Sequence, residues 1–190
     1  MANVNSPNGF RVVKHATGGL ANRRQRYHIA SAYSSNIATN DAVVPTGSGK
    51  LIQRPAAATD RLVGIFDGCY YLDPNQSQPQ YNRLWPASQT LVSGTVADGW
   101  VYDDPRVIFE VQVSGSFALG DIGSLADLID GTANLVTKTS ADAIDSTTLG
   151  TGSVCKVLDV VNRPDNIVGS FARIWVEISK HYLGGALTTI

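Results

Sequence analysis

The sequence is short of the residues on which most catalytic and metal sites depend. It holds three histidines and two cysteines, and its only glutamates are Glu110 and Glu177. The cysteines, Cys69 and Cys155, lie far apart without a CxxC spacing, and both fall in apolar, strand-like runs. This pattern predicts two buried thiols rather than a disulfide or a metal site with thiolate ligands.

Long apolar runs are also missing. No run approaches the length of about 18 residues that a membrane-spanning helix needs. The opening residues lack a basic region followed by an apolar one, which is the pattern of a secretory signal. We therefore expect a protein that is neither exported by a standard signal nor anchored in a membrane, and that folds in a cytoplasm.

Charge is scarce as well. Charged residues make up 16% of the chain, against about a quarter in typical globular proteins, so the free surface is either small or largely hidden in contacts. The net charge of −1 argues against a nucleic-acid partner, although residues 1–61 hold eight basic residues and two acidic ones. This asymmetry either steers the basic end onto an acidic partner or is a scatter of charges over a folded surface.

Familiar catalytic and phosphate-binding motifs fail at defined positions. The run TGSGK at 46–50 resembles a phosphate-binding loop, but Val44 stands where its first glycine belongs and Leu51 replaces the magnesium-binding hydroxyl. A hairpin turn is the better interpretation. No GxSxG, HxH or HExxH pattern occurs. We therefore predict no catalytic, cofactor-binding or metal-binding residues, and a protein that is not an enzyme.

The sequence does contain the alternation that is typical of β-strands. Two runs, 101–113 and 172–179, alternate apolar and polar residues. Their predicted inward positions are Val107, Phe109, Val111, Val113, Ala172, Ile174, Val176 and Ile178. Turn-rich stretches separate the apolar runs, and only 118–130 has the pattern of a short helix. We predict an all-β fold, a compact β-barrel or β-sandwich of short, mostly antiparallel strands with long loops and at most one short helix.

The opening stretch MANVNSPNGF, residues 1–10, is uncharged and has one large side chain, Phe10. Such a segment cannot build a core by itself, but it can lie extended along a neighbouring subunit and add as a strand to a sheet edge, with Phe10 as an anchor. Without that partner it should be disordered. The alternative is an ordinary edge strand of its own domain. We divide the chain into an extended N-terminal arm, 1–15, and a single β-rich domain, 16–190.

Aromatic residues suggest a second interpretation, sugar binding. Trp85, Trp100 and Trp175, together with seven tyrosines, supply the rings from which a saccharide platform on a β-sandwich is built. Trp175 shares the polar face of its strand with Arg173 and Glu177, as an exposed aromatic residue would. Tyrosine and tryptophan are equally common anchors of protein–protein contacts. A carbohydrate-binding adhesin is therefore the alternative function.

Seven segments, in order along the chain, are similar to those of one protein family. They are MANVNSPNGFRVVKH (1–15), NDAV (40–43), GIFDGCYYLDP (64–74), RLWPAS (83–88), VYDDPRVIFEVQ (101–112), DIGSLADL (121–128) and ISKHYL (178–183). The family is that of the head decoration proteins, or structural cement proteins, of tailed bacteriophages. The departures from it concentrate in predicted loops, and Val12 stands where many relatives have proline.

The resemblance implies a non-enzymatic protein on the outer surface of the phage head. It would join neighbouring copies of the major capsid protein after the icosahedral shell expands around DNA. The expected partners are that capsid protein and further copies of itself, as a homotrimer in preference to a dimer, with no cofactor, nucleic acid or membrane. Synthesis would take place in the cytoplasm of the host bacterium. The predicted contact residues are Asn5, Phe10, Arg11, Lys14, Arg23, Arg24 and Arg26.

Overall fold

Short strands make up nearly all of the regular structure. The computed structural model describes residues 3–19, 21, 23–47 and 50–184. Its strands are β1 (Arg11–His15), β2 (Gln25–Ile29), β3 (Ile37–Ala38), β4 (Ala42–Thr46), β5 (Leu51–Gln53), β6 (Gly64–Asp73), β7 (Gln78–Asn82), β8 (Leu84–Trp85), β9 (Ala97–Tyr102), β10 (Val107–Gln112), β11 (Leu125–Ala126), β12 (Leu128–Ile129), β13 (Ala143–Ile144), β14 (Cys155–Val160) and β15 (Arg173–Ile178). The predicted all-β class is confirmed.

Helical structure is limited to two 3₁₀ turns in the described ranges. They span Leu119–Asp121 and Ser146–Thr148. The first falls in the segment 118–130, the one stretch whose pattern allowed a short helix, and this segment continues into the short strands β11 and β12. Within the described residues, no helix is long and apolar enough to cross a membrane.

Five strands close into a barrel in the order β4-β5-β2-β9-β6, and β6 pairs back with β4. The closing contact places Ala42 opposite Ile65 and Val43 opposite Gly64. All the barrel pairings are antiparallel except that of β2 with β5. Strand β6 is long enough to pair with β4 through its first half and with β7 through its second. The hairpin predicted at 46–50 is confirmed, because β4 and β5 pair with Thr46 opposite Leu51.

A separate five-stranded sheet has the order β1-β10-β15-β14-β11 and is antiparallel throughout. Its two central strands carry the alternation found in the sequence. The predicted inward side chains are all buried, from Val107 to Val113 and from Ala172 to Ile178. Glu110, on the other face of β10, forms the Arg pair that is usual for such a position, with Arg163 Nη2 2.9 Å from its Oε1.

The protein has two apolar cores, and the same strands serve both. The barrel core contains Val43 and Phe66, whereas Ala42 and Ile65 belong to the core between the barrel and the five-stranded sheet. Neighbouring residues on a strand point to opposite faces, so β4 and β6 are walls of both cores. The two thiols are buried as predicted, Cys69 in the barrel core and Cys155 in the sheet core.

A buried ionic cluster lies where the barrel meets the segment 130–142. The guanidinium of Arg54 contacts the carboxylates of Asp41, Asp130 and Asp142, the last with its Nη2 2.8 Å from Oδ1. Asp142 also accepts hydrogen bonds from the backbone N–H groups of Ala42 (2.9 Å) and Gly131 (3.0 Å). Burial raises the pKa of Asp142 to about 7. The cluster therefore joins three stretches of chain that are distant in sequence.

Candidate functional site

The segment that we expected to be free, residues 3–10, lies on its own domain. The backbone N–H of Phe10 donates to Asn40 O over 2.9 Å. The side chain of Gln112 holds the segment at two points, with Nε2 donating to Val4 O (2.8 Å) and Oε1 accepting from Ser6 N (2.9 Å). The segment is thus extended, as predicted, but side chains of the domain satisfy its backbone.

Phe10 is a core residue, and its prediction as an anchor for a partner is wrong. Its ring has no exposed surface and packs edge-on against Phe109, with ring centroids 6.3 Å apart. The preceding Gly9 has φ +68°, and a Cβ there would lie 2.4 Å from Asn40 O and from the side chain of Ser140. Glycine is therefore needed for the chain to pass so close to the domain.

Three other predicted contact residues, Asn5, Arg11 and Lys14, are exposed on or near β1. Strand β1 pairs with β10 on one side, and within the described part of the chain no strand pairs with its other side. The Lys14 ammonium lies 4.5 Å from the centroid of the Trp175 ring. We call Arg11, Val13 and Lys14 the edge surface.

Arg23, Arg24 and Arg26 lie apart from the edge surface, on or just before β2 of the barrel. Arg24 Nη1 donates to Asp67 Oδ2 over 2.5 Å, and this hydrogen bond raises the pKa of Arg24. Arg26 Nη1 is 3.5 Å from an oxygen of Asp98. Apart from Phe10, the predicted contact residues therefore lie in two separate regions of the surface, a division that their proximity in sequence did not indicate.

The outer side of the barrel carries exposed aromatic rings. Trp100 on β9 pairs with Arg26 of β2 on one side and with Gly68 of β6 on the other. Tyr81 on β7 lies opposite Tyr70, with ring centroids 4.8 Å apart. The exposed fractions are 37% for Trp100 and 80% for Tyr81. A hollow of about 300 Å³ lies beside the rings of Trp100 and Tyr81, and Gly68 is part of its lining.

We call this region the barrel face. Its members are Arg24, Asp67, Gly68, Tyr81, Asn82, Arg83 and Trp100. It corrects the sequence interpretation of the tryptophans, because the ring of Trp175 is half-buried beside Lys14 and Trp85 is fully buried against Tyr71. Alternation places a residue on the outer side of a sheet, but it does not show which neighbouring side chain will cover that residue.

The described residues contain no group of three or more histidine, cysteine, aspartate or glutamate side chains placed to hold a metal ion. The three carboxylates around Arg54 are already engaged with its guanidinium. The edge surface and the barrel face are two surfaces that present exposed basic side chains. No family model, curated protein or solved structure matches this chain.

Proposed function

We propose that the protein is a decoration, or cement, protein of a tailed-bacteriophage head. It binds the outer surface of the expanded shell and clamps neighbouring copies of the major capsid protein. The observation that supports this best is the edge surface. It ends the segment 1–15, where the resemblance to the cement family is longest, and it presents an edge strand with the basic side chains Arg11 and Lys14.

Attachment through the edge surface would use backbone and charge together. A segment of the capsid protein adds as a strand to the free side of β1, so that main-chain hydrogen bonds supply affinity. Arg11 and Lys14 attract acidic residues of that segment. The function is binding without catalysis or a cofactor.

Stabilisation of the shell follows from linkage. A protein that binds only the expanded lattice stabilises it by about 4 kcal/mol when its free concentration is a thousandfold above Kd. A homotrimer at a local threefold position contacts several capsid subunits, and the second contact is then intramolecular, which multiplies the affinity by roughly 100-fold or more. A dimer at a twofold position would act in the same way.

Co-sedimentation with undecorated heads, unexpanded and expanded, tests the proposal. We expect saturable binding to expanded heads alone. Arg11→Glu should weaken this binding by about tenfold or more, whereas Lys156→Glu, which reverses an exposed charge on β14 of the same sheet, should leave it unchanged. Equal binding to both head forms, or none to either, would rule out the cement function.

Removal of the segment before β1 needs care, because Phe10 belongs to the core. Deletion of residues 1–8 keeps Gly9 and Phe10 and is the informative truncation. We expect this variant to fold, with an unchanged far-UV circular dichroism spectrum. If the segment contributes to attachment, the variant binds expanded heads more weakly than the full chain does.

A further inference from the structure

The floor of the hollow on the barrel face is the backbone of β6 at Gly68. Trp100 of β9 lies on one side of it. Tyr81 of β7 and Arg83, which directly follows β7, lie on the other side. The hollow of about 300 Å³ is at the small end of the range for ligand pockets, about 300–1,000 Å³. It therefore has room for a single ring with its substituents rather than for a large cofactor.

The walls of the hollow are flat and apolar. Trp100 and Tyr81 are both exposed, and Tyr81 is supported from behind by Tyr70 at a centroid distance of 4.8 Å. An aromatic ring held in this way offers its π face to a ligand at a low cost in conformational entropy. The C–H face of a pyranose ring is the complement of such a surface, since its hydroxyl groups point outward from the ring.

Polar groups at the rim are left without partners. The ion pair of Asp67 with Arg24 uses Oδ2 and leaves Oδ1 without a hydrogen bond within the described ranges. The Arg83 guanidinium likewise has no hydrogen-bond partner among the residues that the structure describes.

From this arrangement we propose that the hollow on the barrel face binds an acidic saccharide, a hexuronate unit of a polysaccharide. The pyranose ring stacks on Trp100, and one of its hydroxyl groups donates a hydrogen bond to Asp67 Oδ1. Its carboxylate pairs with Arg83, because a guanidinium binds a carboxylate through two parallel hydrogen bonds. Arg24 and Asp67 neutralise each other, so Arg83 leaves the rim positive and favours an acidic sugar over a neutral one. This activity is independent of the cement function.

Titration of the full chain with trigalacturonic acid, and with maltotriose as the neutral counterpart, tests the site by calorimetry and by tryptophan fluorescence. We expect saturable binding of the acidic trisaccharide and at least about tenfold weaker binding of the neutral one. Trp100→Ala should weaken binding of the acidic sugar by about tenfold or more. Trp175→Ala, which truncates a tryptophan outside the hollow, is the matched control and should bind as the unaltered protein does.

Two further variants make the test specific. Arg83→Gln should reduce the preference for the acidic trisaccharide. Tyr81→Ala should weaken the binding of either sugar, and it replaces Trp100→Ala in the test if that variant does not fold. The absence of saturable binding to trigalacturonic acid, or equal losses in Trp100→Ala and Trp175→Ala, would overturn the proposal. Equally tight binding of hexaglutamate, with the same dependence on Arg83, would do so as well and would identify a docking surface for an acidic peptide.

Discussion

Arg54 shows how much of the fold can depend on one side chain. Its guanidinium is the shared partner of Asp41, Asp130 and Asp142, and neither Asp41 nor Asp142 has exposed surface. A buried carboxylate is tolerated only when it is paired and hydrogen-bonded. Removing the one cation would leave two buried carboxylates without a counter-charge.

We therefore expect Arg54→Ala to lower the free energy of unfolding by about 3–5 kcal/mol. Equilibrium denaturation in urea, followed by circular dichroism, measures this loss. Arg106→Ala is the control, since Arg106 is exposed, and its effect should lie within about 0.5 kcal/mol. Similar losses in the two variants would show that the ionic cluster does not hold the fold together.

His181 is a second buried residue whose protonation state affects the free energy of unfolding. Only 1% of its surface is exposed, and Nδ1 accepts hydrogen bonds from the backbone N–H groups of Leu183 (3.0 Å) and Gly184 (3.3 Å). Burial lowers its pKa to about 4, and the charge of Arg61 acts in the same direction against that of Asp104. The ordinary value is about 6.5, so between these values the unfolded chain binds the proton and the folded protein does not.

The stability that depends on neutral His181 is therefore complete above about pH 6.5 and is lost as the pH falls towards 4. Asp142 has the opposite sign, because its raised pKa makes the folded protein more stable at the acidic end of the window from about 4 to 7. His181→Asn keeps an acceptor and removes the titration, while the contribution of Asp142 is common to both proteins.

We expect the unfolding free energy of the unaltered protein, relative to that of His181→Asn, to rise between pH 4 and 6.5 and to be constant above it. Urea denaturation of both proteins at several pH values in this range provides the measurement. A difference that does not vary with pH would contradict the assignment of the titration to His181.

At the scale of elements, the segment 3–10 and β1 behave as one unit that closes the sheet core. Phe10 is the fully buried side chain of this unit in the core, where its ring packs against Phe109, and Val12 of β1 packs against the same core. We expect Phe10→Ala to cost about 3–5 kcal/mol of unfolding free energy, as for other buried phenylalanines. Val4→Ala, at a site that is 75% exposed, should change stability little when both variants are denatured in urea. Equal effects would mean that the segment is not packed on the domain in solution.

Alternation within one element could be predicted from the sequence, whereas contacts between elements could not. The inward faces of β10 and β15 follow from their own residues. Closure of the barrel depends on Ala42 meeting Ile65, which no local pattern signals. Phe10 stands in an otherwise polar, turn-prone stretch, so its burial depends on a groove formed by later residues. The hollow above Gly68 likewise requires β9 and β7 on either side of β6.

For the whole molecule, the shared strands β4 and β6 predict that the two cores unfold together. Each core contains one thiol, and burial raises the pKa of both, that of Cys69 to about 12. A protonated, buried thiol reacts only after unfolding. Cys155→Ala leaves a reporter in the barrel core, and Cys69→Ala leaves one in the sheet core.

We expect the urea midpoint of thiol labelling in each variant to coincide with the midpoint of its own circular dichroism transition, because loss of either core removes walls of the other. Labelling of one thiol at a clearly lower urea concentration than the loss of β-structure would show that its core opens independently.

The side-chain contacts of Asn3 can form only near the end of synthesis. Its side chain donates to Ile167 O and Ser170 O, groups that lie 164 and 167 residues further along the chain. At a translation rate of about 5–20 residues per second, the ribosome needs on the order of ten seconds to make that interval. Until then residues 3–10 have only part of their docking groove, and the sheet edge along β10 can remain uncovered. A nascent chain would therefore expose an unpaired strand edge until its last strands emerge. Other nascent chains on the same messenger RNA could pair with that edge.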